Sequence, residues 1–434
     1  MQTDSMQPDN LLAWDQHHIW HPFTPLRHDT TLPLITSAEG VYLYTSDGKK
    51  IMDAVSSWWV NIHGHANKQI ADAIHKQAST LEHVIFAGFT HEPAITLSKN
   101  LLSILPSNQQ RVFFSDNGST AVEVGIKMAM QYWHNQGISK KKIIALEGAY
   151  HGDTFGSMSV GARGLFTKPF EQWLFDVDVI PVPTGENISD VIQRFEAFLA
   201  TGDVAAFIFE PLIQGAAGMI MYEAGFLSQL LRMANSSNVV TIADEVFTGF
   251  GRTGKHFASL YLDVEPDIIA MSKGITGGTL PLGVTSCSSK IEKAFDGVEI
   301  EKTFFHGHSY TANPIACAAA NASFSILMDD ECQRSIRRIC ELQKTFAERI
   351  RNHSKVRASR SCGTILALEI ETGTDTSYVN DLRKQIYPYF LNRGILLRPL
   401  GNIIYIVPPY VIKPEELTYI HSVINGFLNH LQGR

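Results

Sequence analysis

The sequence predicts an α/β protein with a mainly parallel central sheet and a smaller α+β unit. Five short apolar runs alternate with amphipathic segments between residues 111 and 273. Runs that are apolar on both faces are typical of parallel strands covered by helices on each side. After about residue 320 the pattern changes to helical periodicity, then to two further apolar runs and a terminal helical segment. This change indicates a second unit.

The predicted large sheet has five strands and one clearly marked helix. The strands are RVFFS (111–115), KIIALE (142–147), VAAFIFE (204–210), NVVTIADE (238–245) and PDIIAMSK (266–273). A helix is predicted over 120–134, where apolar residues recur at helical spacing, at Val122, Ile126, Met130 and Trp133. Thr120 and Glu123 have the spacing of a capping box, which places the helix N-terminus at Thr120.

Both chain ends are expected to contribute to the smaller unit. The segment GVYLYTSDGKKIMDA (40–54) is strand-like and contains an Asp-Gly turn. We expect it to pack beside the C-terminal part, which holds helical patterns over roughly 313–353 and the strand-like runs TILALEI and IIYIVPP. The predicted division is 1–60 for the N-terminal part of the small domain, 61–325 for the large domain and 326–434 for the C-terminal part.

Composition excludes several classes of function. The net charge of −7 and the pI near 6.2 oppose general binding to nucleic acid or to an anionic membrane, because both favour a basic surface. No window approaches the roughly 20 apolar residues of a membrane-spanning helix, and MQTDSMQPDN resembles neither a secretory nor a transit peptide. The five cysteines form no CxxC pair. Free thiols in a reducing cytoplasm are therefore expected.

An acid and a lysine follow neighbouring strands of the predicted sheet. Asp244 closes one strand, and Lys273 follows the next strand along the chain. Ligands gather at the carboxyl ends of strands in such sheets, so both side chains are expected in one crevice. Pyridoxal 5'-phosphate (PLP) needs this pair, because a carboxylate keeps its ring nitrogen protonated and a lysine amine binds its aldehyde. Alone, either residue could equally be a helix cap, an ion-pair partner or a surface charge.

Two segments are candidates for holding a phosphate. SDNGST (115–120) joins a strand to a helix N-terminus, where free N–H groups and the Ser119 hydroxyl can bind an anion. A plain helix cap would have the same sequence, but neither nucleotide fingerprint, GxxxxGK[ST] or GxGxxG, is present. HGHSYTANP (306–314) offers Ser309 as a second donor before a helix that starts near Pro314. The alternation of His306 and His308 has no Cys or acidic partner at ligand spacing, so no metal is expected.

Three further segments carry candidate substrate contacts. Tyr150 in EGAYHGDTFG (147–156) can stack on an aromatic ring, although the segment could also be a turn with an aromatic plug. The adjacent Trp58 and Trp59 are not both expected in the core if the segment is extended, so one is expected to line a pocket. Arg398 is the best candidate for a bidentate carboxylate clamp, with a structural ion pair as its alternative.

Four motifs together resemble the class III aminotransferases of PLP fold type I over nearly the whole chain. The motifs are SDNGSTAVEVGIKMA, AYHGDTFGSMSV, TIADEVFTGFGRTG and MSKGITGG. The resemblance implies that Lys273 binds the cofactor covalently, that Asp244 pairs with its ring nitrogen, and that Val246 and Tyr150 lie on opposite ring faces. It also implies a phosphate site, formed by Gly118 and Ser119 and completed by Ser309, beside His308, from the second subunit of a homodimer.

Narrower motifs resemble one branch of this family. HIWHPFTPL (18–26), DAVSSWWVNIHGH (53–65) and GRTGKHFA (251–258) are similar to enzymes that aminate 8-amino-7-oxononanoate to 7,8-diaminononanoate for biotin, with S-adenosylmethionine as donor. This implies that Arg398 binds the substrate carboxylate. The other implied substrate contacts are Trp58, Trp59, Phe23, Tyr150, Asp153, Arg252 and Gly307.

Alternatives to this reaction remain open at the level of sequence. Phe23 stands where several relatives carry Tyr, and HGHSYTAN replaces the commoner HGPTFMGN; both features occur in relatives that use lysine as donor. Trp58 favours S-adenosylmethionine, because an aromatic face attracts a sulfonium. Another class III ω-aminotransferase, acting on a diamine or an ω-amino acid, would share most motifs. A catalytically silent α/β ligand-binding protein would not need Lys273 and Asp244.

Overall fold

The computed structural model describes residues 8–27, 32–374 and 376–432 and confirms the α/β architecture. The strands are β1 Ile35–Glu39, β2 Tyr42–Thr45, β3 Lys50–Asp53, β4 Gln109–Ser115, β5 Lys142–Leu146, β6 Asp178–Ile180, β7 Val204–Phe209, β8 Ile213–Gln214, β9 Ile220–Met221, β10 Val240–Asp244, β11 Ile268–Met271, β12 Gly283–Ser288, β13 Val356–Cys362, β14 Ile365–Ile370, β15 Ile395–Leu396 and β16 Ile403–Ile406. The five predicted strands are β4, β5, β7, β10 and β11.

Helices connect and cover these strands. They are α1 Pro8–His18, α2 Ser56–Trp59, α3 Lys68–Ala78, α4 Glu92–Ile104, α5 Gly118–Asn135, α6 Phe155–Ser159, α7 Ile188–Leu199, α8 Ala224–Ser236, α9 Ser289–Ala294, α10 Pro314–Met328, α11 Asp330–Ile350, α12 Arg383–Leu391 and α13 Pro414–Gln432. Short 3-10 helices span Lys168–Trp173, Ala258–Tyr261, Lys273–Thr276 and Ile300–Lys302. None of the helices in the described ranges has both the length and the apolar character needed to cross a bilayer.

The central sheet has the order β4-β12-β11-β10-β7-β5-β6. Only β12 runs against its neighbours, and the pairs β11–β10, β10–β7, β7–β5 and β5–β6 are parallel. Every residue of β7 and of β10 is buried, because helices cover both faces of the sheet. The apolar character of these strands in the sequence follows from this double coverage.

The chain ends meet in a second, four-stranded sheet of order β1-β2-β3-β15. Ile395 and Leu396 of β15 pair in parallel with Met52 and Asp53 of β3, which confirms that the N-terminal hairpin packs on the C-terminal part. A three-stranded antiparallel sheet, β13-β14-β16, completes this region. The domain limits at residues 60 and 325 stay a prediction.

Helix α5 begins earlier than predicted, and the predicted capping box is wrong. Asn117 is the N-cap: its side chain accepts the Thr120 N–H at 3.0 Å, while the Thr120 hydroxyl accepts the Asn117 N–H at 3.1 Å. Because the helix begins at Gly118, Glu123 lies too far along it to reach the cap. Glu123 instead accepts the N–H groups of Gly156 and Ser157, at 2.7 and 3.1 Å, and thereby ties α5 to α6.

The parallel strands bring three ionisable residues to one edge of the sheet. Asp244 is the last residue of β10, Glu210 directly follows β7, and Lys273 lies two residues after β11. The register aligns Ala243 with Phe209 and Asp244 with Ala270, so the three strands end at the same level. The carboxyl ends of parallel strands are where ligands bind in this class of sheet.

Candidate active site

A cavity of about 530 Å³ opens at this edge of the sheet. It brings together seven of the residues predicted from sequence to form the site. They are Phe23, Trp58, Trp59, Tyr150, Asp153, Lys273 and Arg398. These residues come from segments spread over almost the whole chain, and most of the cavity lining is apolar or aromatic.

Lys273 lies at the base of this cavity in an unfavourable backbone conformation. Its φ is +46°, in the left-handed region, which a non-glycine residue adopts only when the surrounding structure imposes it. Its Nζ lies 4.6 Å from the centroid of the Trp59 ring. Burial lowers the pKa of the Lys273 amine to about 8, although the charges of Asp244 and Glu210 oppose this shift. A larger share of the amine is therefore neutral near pH 7 than in an exposed lysine.

Asp244 is held by two contacts that fix its carboxylate. Its Oδ2 lies 2.7 Å from Nδ1 of His151, and its Oδ1 accepts the Val246 N–H at 3.0 Å. The second ring nitrogen of His151, Nε2, is buried and has no hydrogen-bond partner among the described residues. The carboxylate of Asp244 is thus oriented by these two contacts, and Asp244 is almost completely buried.

Glu210 is a site residue that the sequence analysis did not single out. Its carboxylate accepts the N–H of Tyr150 at 3.0 Å and the N–H of Gly215, also at 3.0 Å. Burial raises the pKa of Glu210 to about 7, and the nearby carboxylate of Asp244 contributes to the rise. The available signal was its position at the end of VAAFIFE, equivalent to that of Asp244 at the end of the next strand.

The N-terminus of α5 offers an anion site close to Asp244. Within the described residues, the N–H groups of Gly118 and Ser119 have no acceptor, as expected for the first turn of a helix. A Cβ atom at Gly118 would lie 2.7 Å from the Val246 side chain, so only glycine permits this close packing. The Ser119 hydroxyl accepts the Asp153 N–H at 3.1 Å, which links the helix terminus to the loop that carries Tyr150.

The two tryptophans lie next to each other in a sharp turn and differ in burial. Trp58 is 38% exposed, whereas Trp59 is 6% exposed and donates its Nε1–H to the Tyr405 hydroxyl at 3.2 Å. The segment is an irregular turn, α2, so the premise of an extended segment is wrong, and both tryptophans line the cavity although only Trp58 is exposed. Asp53 supports the turn by accepting the N–H and hydroxyl of Ser57, at 2.6 and 2.9 Å.

Arg398 faces the cavity beside Trp58. Its Cζ lies 4.2 Å from the centroid of the Trp58 ring, a cation–π contact. Among the described residues it makes no ion pair, so the alternative of a structural ion pair is not supported. Arg163 also lines the cavity, but its guanidinium donates to the carbonyl oxygens of Met158, Gly161 and Phe175. Arg398 is therefore the arginine that is available to a ligand.

Eight predicted residues do not line the cavity of this chain. Four of them, Gly118, Ser119, Asp244 and Val246, lie at the α5 N-terminus and the end of β10 described above, and the other four are Arg252, Gly307, His308 and Ser309. Arg252 is only 1% exposed, and its guanidinium donates to the carbonyl oxygens of Pro408 and Trp59, at 2.8 and 3.2 Å. The structure thus places it beneath Trp59, where it supports the turn and does not face the cavity. Gly307, His308 and Ser309 lie on a separate loop, with Gly307 and Ser309 exposed.

The residues at this edge fit PLP. The Lys273 amine, whose pKa is lowered, matches the aldehyde of PLP. The buried and oriented carboxylate of Asp244 matches the ring nitrogen. The two unpartnered N–H groups at the N-terminus of α5 match the phosphate. In the described part of the chain, no cluster of three or more His, Cys, Asp or Glu residues could hold a metal ion. All five cysteines carry free thiols.

Comparison with known proteins gives consistent relatives over nearly the whole chain. A protein of Synechococcus elongatus named adenosylmethionine-8-amino-7-oxononanoate aminotransferase is 47% identical over 423 residues, covering 95% of this chain and 99% of the relative. A protein of the same name from Geobacter sulfurreducens is 37% identical, covering 96% of this chain and 98% of the relative.

A solved structure and a family profile agree with these relatives. The crystal structure of adenosylmethionine-8-amino-7-oxononanoate aminotransferase from Methanocaldococcus jannaschii superposes with a TM-score of 0.92 at 34% identity, covering 98% of this chain and 99% of that one. The profile of the class-III aminotransferases, which are PLP-dependent, matches residues 23–428. Because the match includes the strand ends with Asp244 and Lys273 as well as Arg398, this chain belongs to the class-III aminotransferases.

Proposed function

We propose that this chain, acting in the cytoplasm, transfers an amino group from S-adenosylmethionine to 8-amino-7-oxononanoate and forms 7,8-diaminononanoate for biotin synthesis. The names of the relatives support this reaction. The observation that carries it is the placement of Lys273 and Arg398 in one largely apolar cavity, each against one of two adjacent indole rings. A carboxylate anchor and a reactive amine joined by an apolar wall suit a keto acid with a long methylene chain.

Each polar residue would have a distinct task in this reaction. Bound PLP supplies an electron-withdrawing ring, which makes the hydrogen on the substrate α-carbon more acidic. The carboxylate of Asp244, oriented by His151, would keep positive charge on the ring nitrogen. The N–H groups of Gly118 and Ser119 would hold the phosphate. In each half of the reaction Lys273 Nζ would carry a proton between the substrate carbon and the cofactor, away from the α-carbon of the donor in the first half and onto the ketone carbon of the acceptor in the second.

Both substrates carry a carboxylate, and one arginine can serve both. S-adenosylmethionine and 8-amino-7-oxononanoate would each place this group at Arg398, since the guanidinium is available there. The exposed face of Trp58 beside it can meet the sulfonium of the donor. One cavity would thus accept two unlike molecules in turn by a shared anchor.

Separate half-reactions test the proposed function and identify the donor. We expect S-adenosylmethionine to remove the visible absorbance of the cofactor-bound enzyme, and 8-amino-7-oxononanoate to restore it. Lysine, at the same concentration, should leave the absorbance unchanged. Loss of absorbance with lysine alone would establish lysine as the donor. Failure of 8-amino-7-oxononanoate to restore the signal would favour another ω-aminotransferase, and an enzyme that never gains absorbance with PLP would favour the silent binding protein.

Replacing Arg398 tests the carboxylate anchor. We expect Arg398→Ala to raise the KM of both substrates by about 10- to 100-fold, because a charge-assisted bidentate contact contributes roughly 1.5–3 kcal/mol. Arg398→Lys is the matched control: it keeps the charge but loses the fork geometry, and should show an intermediate KM. Steady-state kinetics at fixed concentration of the second substrate provide the measurement. An unchanged KM for both substrates in Arg398→Ala would refute the anchor.

We further propose that the enzyme is a homodimer in which Ser309 completes the phosphate site of the partner subunit. Ser309 is exposed and lies outside the cavity of its own chain. The anion site at the N-terminus of α5 therefore receives no hydroxyl from the Ser309 of the same chain. Large apolar side chains near this loop, including Phe305 and Tyr310, are exposed as well. Sedimentation equilibrium should give twice the 48.2 kDa of one chain. A monomer with full activity would contradict the shared site.

A further inference from the structure

A belt of four aromatic rings surrounds part of the cavity mouth. Trp58, Phe23, Phe166 and Tyr378 contact one another in this order, with ring centroids 5.8, 5.6 and 4.9 Å apart. All three contacts are edge-to-face, a favourable arrangement of aromatic quadrupoles. The four rings come from four separate segments of the chain. We call these four residues the aromatic belt.

The belt is open to solvent and begins at the carboxylate anchor. Phe166 is 44% exposed and Phe23 is 48% exposed, although both are large apolar rings. A cluster of exposed aromatic rings beside a cavity indicates a surface that binds apolar parts of a ligand. At one end of the belt, Trp58 lies against Arg398, and the adjacent Trp59 lies against the Lys273 amine. Phe166 and Tyr378 line the same cavity as Lys273 and Arg398, so an apolar wall accompanies both charged groups.

The charges of the cavity define which part of a ligand the belt can meet. Arg398 is the available guanidinium, since that of Arg163 is bound to three carbonyl oxygens. An acceptor with its ketone carbon at Lys273 and its carboxylate at Arg398 presents to the rings the chain that connects these two groups, while its amino group and terminal methyl lie on the other side of the ketone carbon. In the acceptor of the proposed reaction, this chain is an unbranched run of methylene groups.

We propose that Phe166 and Tyr378 are specificity-determining residues that contact the methylene chain of the amino acceptor. The inference rests on the proposed function and deepens it, because it names the residues that select a long unbranched keto acid. Neither residue carries a group that can react with substrate at Lys273, so their effect is on binding. Each methylene buried against the rings should contribute about fourfold in affinity.

Kinetics of the two half-reactions in cofactor-bound variants test this proposal. We expect Phe166→Ala and Tyr378→Ala each to raise the KM for 8-amino-7-oxononanoate about tenfold, with kcat and the donor half-reaction within about twofold of wild type. Acceptors shortened by one methylene at a time should lose about fourfold per step in wild type and less in Phe166→Ala. Phe166→Leu and Tyr378→Phe, which retain apolar volume or the ring, should stay close to wild type.

Phe170→Ala is the matched control. Phe170 follows in the same region of the chain and is 41% exposed, but its ring contacts Phe155 and does not line the cavity. If Phe166→Ala and Tyr378→Ala behave like this control, the inference is overturned. Equal losses in both half-reactions, or a greater loss with donor, would also overturn it. A wild type that fails to aminate the acceptor refutes the proposed function and this inference with it, and that result is visible before any variant is compared.

Discussion

Lys273→Ala should lower kcat by more than about 10³-fold, the largest effect expected for any single substitution in this chain. The amine is the group that binds the cofactor aldehyde and moves the proton, and Lys273 is the lysine that lines the cavity in the described residues. Its lowered pKa, about 8, gives a larger neutral fraction near pH 7, and the neutral amine is the form that adds to the aldehyde and accepts the proton. Borohydride reduction followed by peptide mapping should place the cofactor on Lys273 in the wild type.

Lys68→Ala is a suitable control for this substitution. Lys68 lies on the exposed face of α3, where it pairs with Asp72 at 2.6 Å, and it does not line the cavity. Its removal should leave kcat and the visible absorbance unchanged, because an exposed pair of this kind contributes little to stability. If Lys273→Ala kept a tenth of the activity, or if reduction labelled another residue, the assignment of the covalent site would be wrong.

Asp244→Asn should lower kcat by about 10²- to 10³-fold, the second largest effect. The amide has nearly the same shape and its oxygen can still contact Nδ1 of His151, so the fold should be kept. It carries no negative charge, however, and cannot stabilise a protonated ring nitrogen in a buried environment. The cofactor would then withdraw electrons less effectively. Single-turnover kinetics with the donor should show the loss in the proton-transfer step and only a small change in donor binding.

Asp267→Asn separates the effect of charge at the site from the effect of losing any buried aspartate. Asp267 lies at the opposite end of β11, where it accepts the Thr241 N–H at 3.1 Å and pairs with Lys290 at 2.9 Å. We expect this variant to be less stable than wild type but to keep its kcat. If Asp244→Asn kept activity within about fivefold of wild type, the ring nitrogen would not depend on this carboxylate.

Backbone strain is concentrated near the reactive amine. Ser56, Ser57, Trp59 and Lys273 all have positive φ values, between +50° and +68° for the first three and +46° for Lys273. Such conformations cost free energy and persist where the surroundings over-determine them. Here Asp53 and Arg252 supply those contacts, through Ser57 and through the carbonyl of Trp59. These contacts hold the two indole rings against the amine and the guanidinium despite the strain.

The amino-acid sequence was sufficient for the elements whose signal is local. Strands covered on both faces consist of consecutive apolar residues, so β7 and β10 could be recognised directly, and Asp244 and Lys273 followed from their positions at strand ends. Strand β12 gave no such signal, because its Thr285 and Ser286 are polar. Their buried hydroxyls donate hydrogen bonds to the carbonyl oxygen of Ala121 and to the side-chain oxygen of Gln109, at 2.6 and 2.7 Å. Only the neighbouring helix and strand make these residues suitable for a core.

The sequence by itself therefore determined the fold class, the pairing of an acid with a lysine at one sheet edge, and the family of motifs around them. The tertiary structure alone decided which side chains meet across long sequence separations. It placed Arg252 beneath Trp59, Glu210 beneath Tyr150, and Phe166 between Phe23 and Tyr378. The physical reason is that periodicity and turn chemistry act over a few residues, whereas a binding site is assembled from the ends of strands and loops that only packing brings together.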